Sequence, residues 1–224
     1  MAKIQYLDIH RHGSYPHKDV ILIRNLFPDQ TGELENPGYY SVGLHPWHLK
    51  EENYAQQLEI LKKAANEPKV IAIGEAGLDK VIEVPFDLQM KVFKQQVEIA
   101  ESVQKPLIIH CVRSYNDILF LRKNSNQKIP WIFHWFNSNQ QTARELIKKN
   151  CYLSFGHMLF NDKSKAHRIF PLLPGERIFL ETDDAGNTIF EIYERAASLR
   201  DTTIDRLKDM LIHNFETCFN RIHG

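Results

Sequence analysis

The sequence lacks several features that mark specialised classes of protein. It has no net charge, with 28 basic and 28 acidic side chains in 224 residues, so it lacks the cationic surface typical of a dedicated nucleic-acid binder. No stretch approaches the roughly 18 consecutive apolar residues that a membrane-spanning helix needs. Its three cysteines, Cys111, Cys151 and Cys218, form no CxxC pair and no plausible disulfide framework. The first residues contain no apolar segment of a signal peptide. We therefore expect a reduced, cytoplasmic protein with no membrane contact and no obligate protein partner.

The sequence does contain a regular alternation of short apolar runs and longer amphipathic segments. The runs are rich in β-branched residues and apolar on both faces, which is typical of buried strands in a parallel sheet. They are Ile4–Ile9, Val20–Leu26, Tyr39–Leu44, Val70–Ile73, Leu107–Ile109, Trp131–Phe133, Tyr152–Phe155 and Ile178–Leu180. Helical periodicity marks Glu51–Asn66, Phe86–Val103, Tyr115–Lys123, Gln140–Lys149, Ile189–Leu199 and Thr203–Phe219.

Eight strands alternating with helices predict an α/β fold, a TIM-like (β/α) barrel, as one domain over residues 1–224. One connection departs from this pattern. The segment 27–38, between the second and third strands, has two prolines and no helical period. A crossover helix is therefore expected to be missing there, and the barrel to be distorted.

Side chains that can bind metal stand at the ends of the predicted strands, and histidine is abundant, with eleven in the chain. Asp8, His10 and His12 are spaced i, i+2 and i+4, which places them on one face of an extended strand. Four further strands end in such a residue: Glu75, His110, His134 and Asp183. Because strand ends of a β/α barrel meet at its C-terminal face, the sequence predicts that these groups form one site.

The donor types in this set favour a hydrolytic metal site. Imidazoles with carboxylates suit Zn²⁺, Mn²⁺, Fe²⁺ or Co²⁺ better than the all-oxygen shell of Ca²⁺, and Mg²⁺ stays among the candidates. Six ligands exceed one tetrahedral shell, and a carboxylate can bridge two ions, so two divalent metal ions are expected. Such ions polarise a phosphoryl or carbonyl oxygen and lower the pKa of water.

Several motifs, in order along nearly the whole chain, resemble those of the TatD family of metal-dependent hydrolases, in the amidohydrolase superfamily. They are Asp8-Ile-His-Arg-His12, Gly43-Leu-His-Pro-Trp47, Ile73-Gly-Glu-Ala-Gly-Leu-Asp79, Gln89 with Phe93, Ile108-Ile-His-Cys-Val-Arg113, Phe133-His-Trp-Phe136, Leu153-Ser-Phe-Gly156, Leu180-Glu-Thr-Asp183 and Asn214-Phe. The resemblance implies a (β/α) barrel and hydrolysis, in many members of phosphodiester bonds at DNA ends.

The resemblance also implies how the metal ions are held. It assigns His10 and His12 to one ion, and His110 and His134 to the other. Glu75 is assigned as the carboxylate that bridges them and is therefore also counted among the catalytic residues.

Further roles follow from the same resemblance. Asp183 would hold the first ion and act as general base on the attacking water. Arg113 and His45 would contact the substrate, with the guanidinium of Arg113 suited to two phosphate oxygens. Asp8 would support the ligands from behind.

The sequence departs from the family pattern in its loops. Asp183 is followed by Asp184-Ala-Gly-Asn-Thr instead of a long loop rich in Arg, Gly and Asn, and Lys80 stands where an aromatic residue is common. The shortened loops leave two alternatives open. One is hydrolysis of an amide, lactone or other ester of a small molecule, and the other is a non-catalytic metal-binding scaffold.

Other side chains near the motifs have either a functional or a structural interpretation. Trp47, His48 and His157 could line the site. The alternatives are that Trp47 packs over the mouth of the barrel and that His48 is exposed to solvent in a loop. Cys111 is expected to be a small buried apolar residue.

Overall fold

The structure is a computed structural model that describes residues 5–13 and 17–220. Its strands are β1 (Tyr6–Arg11), β2 (Val20–Leu26), β3 (Tyr39–Val42), β4 (Val70–Asp79), β5 (Leu107–Val112), β6 (Trp131–Phe133), β7 (Cys151–Phe155) and β8 (Ile178–Leu180). Its α-helices are α1 (Tyr54–Ala64), α2 (Phe86–Val103), α3 (Tyr115–Asn124), α4 (Gln140–Ile147), α5 (Lys165–Ile169), α6 (Ile189–Leu199) and α7 (Ile204–Phe219). Residues 1–4 lie outside the described residues. They include Ile4, the first residue of the predicted first strand, and the start of the segment in which no signal peptide was expected.

The strands follow one another in the sheet in chain order, β1 to β8. The pairs β1–β2, β3–β4, β4–β5, β5–β6 and β7–β8 are parallel. Helices occupy most of the connections, so the predicted (β/α) barrel fold class is confirmed. Between β2 and β3 every residue is described, and the segment forms a 3-10 helix, Pro28–Glu35, in place of a crossover α-helix. No helix in the described ranges is long and apolar enough to cross a bilayer.

Burial of the strands agrees with a sheet covered on both faces. All ten residues of β4 and all five of β7 are buried, as expected for parallel strands. The aromatic side chains of Trp131, Phe133 and Phe136 are almost fully buried and belong to the core.

The chain divides into two compact units, and the first consists of the residues up to Arg24 together with those from His134 onward. In this unit the first and last strands lie side by side, because Asp183 N donates to His10 O at 2.9 Å just beyond β8. The hydroxyl of Tyr193 on α6 bonds both Leu7 N and Leu7 O. These bonds fix β1, which carries His10 and leads directly to His12, against α6.

The second unit is Asn25–Phe133 and contains β3 to β6 with α1 to α3. Two buried glutamines of α2 form hydrogen bonds with the backbone at the end of β4 and just after β3. Gln89 accepts from Asp79 N and donates to Asp79 O, at 2.8 and 3.0 Å. Gln96 bonds Leu44 N and O in the same way. Each amide satisfies backbone groups where a strand or loop ends, which holds the residues beside them in place.

Several elements differ from the sequence-based expectation. The strand β4 continues to Asp79, six residues beyond the predicted end at Ile73, and β5 continues to Val112, three residues beyond Ile109. The helix α1 begins at Tyr54, three residues after the predicted start at Glu51, and the short helix α5 was not predicted. The other strands and helices agree with the predicted bounds to within two residues.

Candidate metal centres

The first unit brings together His10, His12 and Asp183, with one ligand atom from each lying within 4.8 Å of the other two. His10 Nε2 lies 3.7 Å and His12 Nε2 3.6 Å from Asp183 Oδ1. The side chain of His10 is fully buried, whereas 24% of His12 and 14% of Asp183 are exposed. The cluster is therefore open on one side only.

The distances in this cluster suit coordination better than hydrogen bonding. A hydrogen bond between nitrogen and oxygen is normally 2.7–3.2 Å long, shorter than both contacts. Metal–ligand bonds of about 2.0–2.2 Å in a tetrahedral shell separate the ligand atoms by about 3.4 Å. Two imidazoles and one carboxylate at this spacing fit a divalent transition-metal ion, with positions left for water or substrate.

The backbone around Asp183 is held by Asp8. Thr182 donates its N–H to Asp8 Oδ1 at 3.0 Å and its hydroxyl to Asp8 Oδ2 at 2.6 Å. Asp183 itself has a left-handed backbone, with φ of 49°, a conformation that is costly for a non-glycine residue unless its neighbours hold it. Burial raises the pKa of Asp8 to about 7, although the bonds from Thr182 act to lower it. Asp8 thus lies behind the cluster, with both oxygens directed at Thr182.

His134 also belongs to the first unit. Its ring lies 4.6 Å from that of His10, measured between centroids, and its Nδ1 lies 3.7 Å from Glu181 Oε1. Glu181 Oε1 accepts a hydrogen bond from the backbone N–H of Trp135. The buried carboxylate of Glu181, two residues before Asp183, therefore lies beside His134.

In the second unit, Glu75, His45 and His110 form a buried cluster, with Glu75 inside β4, His110 inside β5 and His45 in the loop after β3. Glu75 Oε1 lies 3.0 Å from His45 Nε2 and 2.9 Å from His110 Nδ1. The amide of Asn25 accepts from Glu75 N at 2.7 Å and from the Ser41 hydroxyl at 3.0 Å. Asn25 thereby fixes the backbone that presents the Glu75 carboxylate.

The hydrogen bonds of His45 determine its tautomer. Its Nδ1 accepts the backbone N–H of Trp47 at 3.2 Å, so the proton of the neutral ring is on Nε2. That proton points at Glu75. His45 therefore fits a donor to Glu75 better than a metal ligand through Nε2.

His110 stands between two carboxylates. Its Nδ1 faces Glu75 and its Nε2 lies 3.1 Å from Asp79 Oδ2. Although burial acts to raise it, hydrogen bonds from Trp47 Nε1, Val81 N and His110 hold the pKa of Asp79 below its usual value. An ionised Asp79 accepts a hydrogen bond from His110 Nε2, so Nδ1 is the ring nitrogen directed towards the Glu75 oxygen.

At 2.9 Å, Glu75 Oε1 and His110 Nδ1 are joined by a shared cation, which is either a ring proton or a metal ion in its place. With a divalent ion held by Glu75 and His110 Nδ1, the Asp79 contact has the geometry of a carboxylate that orients a ligating histidine. The donors present in the second unit thus fit a metal ion.

The other candidate residues from the sequence differ in their exposure and in their contacts. Arg113 is exposed just after β5 and has no hydrogen bond or ion pair with the described residues. Trp47 is 57% exposed, with its indole N–H bonded to Asp79 at 2.8 Å. His48 is exposed in the second unit. His157 is exposed in the first and bonds Asn187 at 2.6 Å. Burial of its thiol raises the pKa of Cys111 to about 12, so it is not a thiolate at neutral pH.

Four residues around the clusters were not predicted from the sequence: Asn25, Asp79, Glu181 and Thr182. Asp79, Glu181 and Thr182 lie in motifs shared with the family, and that was the only indication of a role for them. Asn25 lies in none of these motifs and acts through a contact distant in the chain, the bond from Glu75 across 50 positions.

In sequence, the chain is similar to proteins of one family of metal-dependent hydrolases. The family model described as TatD related DNase matches residues 29–220. The metal-dependent hydrolase YabD of Bacillus subtilis is 28% identical over 197 residues, which cover 81% of this chain and 77% of that protein. The 3'-5' ssDNA/RNA exonuclease TatD of Cronobacter turicensis is 29% identical over 148 residues, 64% of this chain and 56% of that protein.

Solved structures show the same fold. YJJV, a TatD homologue from Escherichia coli K12, superposes with a TM-score of 0.85 at 23% identity, covering 98% of this chain and 99% of that one. A TatD family hydrolase from Entamoeba histolytica gives a TM-score of 0.77 at 15% identity, with 96% and 97% covered.

Proposed function

This chain belongs to the TatD related DNase family of metal-dependent hydrolases, and we propose that it hydrolyses phosphodiester bonds at the ends of single-stranded DNA or RNA. The observation that carries the proposal is the His10–His12–Asp183 cluster, whose contacts of 3.6 and 3.7 Å match a metal coordination shell. The name of the Cronobacter relative, an exonuclease on single-stranded DNA and RNA, supports the class of substrate.

We assign one divalent ion to each unit. In the first, the ligands are His10, His12 and Asp183, with His134 beside them. In the second, they are Glu75 and His110. Such ions, when bound, polarise the phosphoryl oxygen and make water more acidic.

The chain's own residues supply positioning and proton transfer. Asp183, partly exposed at the open side of its cluster, accepts the proton of the attacking water. His45 donates to Glu75 and keeps that carboxylate oriented. The guanidinium of Arg113 contacts two oxygens of the substrate phosphate at once.

The proposal is tested with the full chain, stripped of metal by a chelator and reloaded separately with Mn²⁺, Mg²⁺ or Zn²⁺. Hydrolysis of bis(p-nitrophenyl) phosphate and of 5′-labelled single-stranded DNA is measured. We expect activity only with metal. His10→Ala and Glu75→Ala should each lower it by at least about 100-fold, since even an outer-shell partner of a metal ligand typically contributes 10–100-fold.

His213→Ala is the matched control, because this histidine is exposed on α7 and contacts neither cluster. It should keep full activity. Turnover of amides, lactones or carboxylic esters with none of any phosphodiester would overturn the proposal in favour of a different hydrolase. Stoichiometric metal with no turnover of either panel would overturn it in favour of a metal-binding scaffold.

A further inference from the structure

The second unit contains a cavity of about 360 Å³ that opens beside His45. Its lining combines apolar side chains, among them Phe27 and Leu44, with polar ones, and the partly or fully exposed Asp29, Lys50, Asn53 and Gln57 lie at its rim. Sites for small ligands usually measure about 300–1,000 Å³, so this cavity suits one small molecule or one nucleotide, not several.

The two amides on the rim are available to a ligand. Asn53 directly precedes α1 and makes no side-chain cap to that helix. Gln57 lies one turn further on, and the side chains of both are partly buried. Neither amide has a hydrogen-bond partner in the described part of the chain. An amide offers a donor and an acceptor together, which is the pattern that pairs with the edge of a nucleobase.

An aromatic side chain closes the cavity on another side. Phe27 precedes the 3-10 helix Pro28–Glu35, which replaces the crossover α-helix, and its ring meets His48 edge-on at 5.0 Å. Unstacked bases are commonly held on such rings. Lys50 is exposed at the rim and has no ion pair with the described residues, so its ammonium group can meet a phosphate.

The position of the cavity relates it to the candidate site. His45 forms part of its wall and also contacts Glu75 at 3.0 Å. Only the side chain of His45 therefore stands between a ligand in the cavity and Glu75, the carboxylate assigned to a metal ion.

We propose that this cavity binds a single nucleobase of the substrate, the terminal one of a single-stranded nucleic acid, with Phe27 against its face and Asn53 and Gln57 at its edge. This inference rests on the proposed function for the bond that is cut, and it adds the feature of the substrate that is recognised. The connection between β2 and β3, which holds a 3-10 helix in place of a crossover α-helix, thereby provides part of the specificity.

Binding is tested first without metal, so that catalysis plays no part. ¹⁵N-labelled, chelator-treated protein is titrated with deoxyadenosine 5′-monophosphate, and the side-chain amide signals of Asn53 and Gln57 are followed. We expect both to shift along one saturable curve. Gln57→Ala should raise the dissociation constant by at least about fivefold, in line with a base contact. Gln56→Ala, the exposed neighbour on the same helix, should not change it.

The second arm uses the metal-loaded protein and two oligonucleotides, one with a normal 3′-terminal base and one whose terminal residue is abasic. We expect a lower KM for the intact end, and a smaller difference between the two substrates in Phe27→Leu and Gln57→Ala. If both ends are cut with equal KM, or if the nucleotide shifts neither amide, the inference about the cavity is wrong while phosphodiester cleavage stands. If neither oligonucleotide nor bis(p-nitrophenyl) phosphate is cut, the proposed function fails, and nucleotide binding alone decides the inference about the cavity.

Discussion

At the scale of single residues, the contact between Asp79 and His110 bears on the geometry of the second cluster. The carboxylate accepts from Trp47 Nε1, Val81 N and His110 Nε2. Three donors fix its position, and its contact with Nε2 orients the His110 ring so that Nδ1 faces Glu75. In the proposed metal centre, Asp79 is therefore the positioning residue for His110.

Asp79→Asn should therefore weaken metal binding without unfolding the chain. The substitution keeps the size of the side chain but removes the charge that holds the His110 proton. We expect a 10–100-fold loss of affinity for Zn²⁺ or Mn²⁺, the usual effect of losing such a partner. Competition with a chromogenic chelator measures it.

The control for this substitution is Asp117→Asn in the same unit. Asp117 pairs with Lys80 at 2.5 Å and does not contact His110, so its loss should leave metal affinity unchanged. Equal metal affinity in Asp79→Asn and the unmodified chain would show that Asp79 does not orient His110.

At the scale of elements, the strand β4 explains why the sequence predicted some parts of the site and missed others. Its first four residues are apolar and were predicted as a strand, but Gly74 and Gly77 then resemble a loop. In the structure they lie inside the strand. A Cβ on Gly77 would stand 1.9 Å from His110 O, so only glycine lets β4 pass this close to β5.

Gly77→Ala should accordingly disrupt the contact between β4 and β5. Gly77 pairs with His110 in the ladder, and the added methyl group meets rigid backbone instead of a flexible side chain. We expect a loss of about 3 kcal/mol in the free energy of unfolding, at the upper end of overpacking effects, measured by urea denaturation. Gly32→Ala, where a Cβ would meet nothing within 4 Å, is the control and should change it by less than about 1 kcal/mol. Equal stability of the two variants would contradict this account.

The elements that could be predicted are those whose cause is local. Apolar runs and helical periods located eight strands and six of the seven helices, and strand-end position located the histidines and carboxylates. The helix α5 was missed because it has only five residues, too few for a periodic pattern. Asn25, Asp79 and Thr182 were missed because their partners are far away in the chain, and one sequence carries no record of such pairs.

At the scale of the whole molecule, the balance of charge constrains how the substrate is attracted. With 28 basic and 28 acidic side chains, no general cationic field draws nucleic acid to the surface. The cations placed near the second-unit site and not engaged in ion pairs with described residues are Arg113 and Lys50. Binding of a single strand should therefore depend on one or two phosphate contacts together with the base.

This predicts a shallow dependence of affinity on salt. Each phosphate contact with a single strand contributes a slope of about −0.7 to the logarithm of the binding constant against that of the salt concentration, so one or two contacts give about −0.7 to −1.4. The slope is measured by fluorescence anisotropy with labelled single-stranded DNA and chelator-treated protein. The salt concentration is varied from 50 to 200 mM. Arg113→Gln should reduce its magnitude by about 0.7, whereas Lys123→Gln, at an exposed position of α3 that does not line the cavity, should leave it unchanged. A slope steeper than about −3 would require four or more phosphate contacts. The nucleic acid would then lie along an extended surface, and recognition of a single end would not account for its binding.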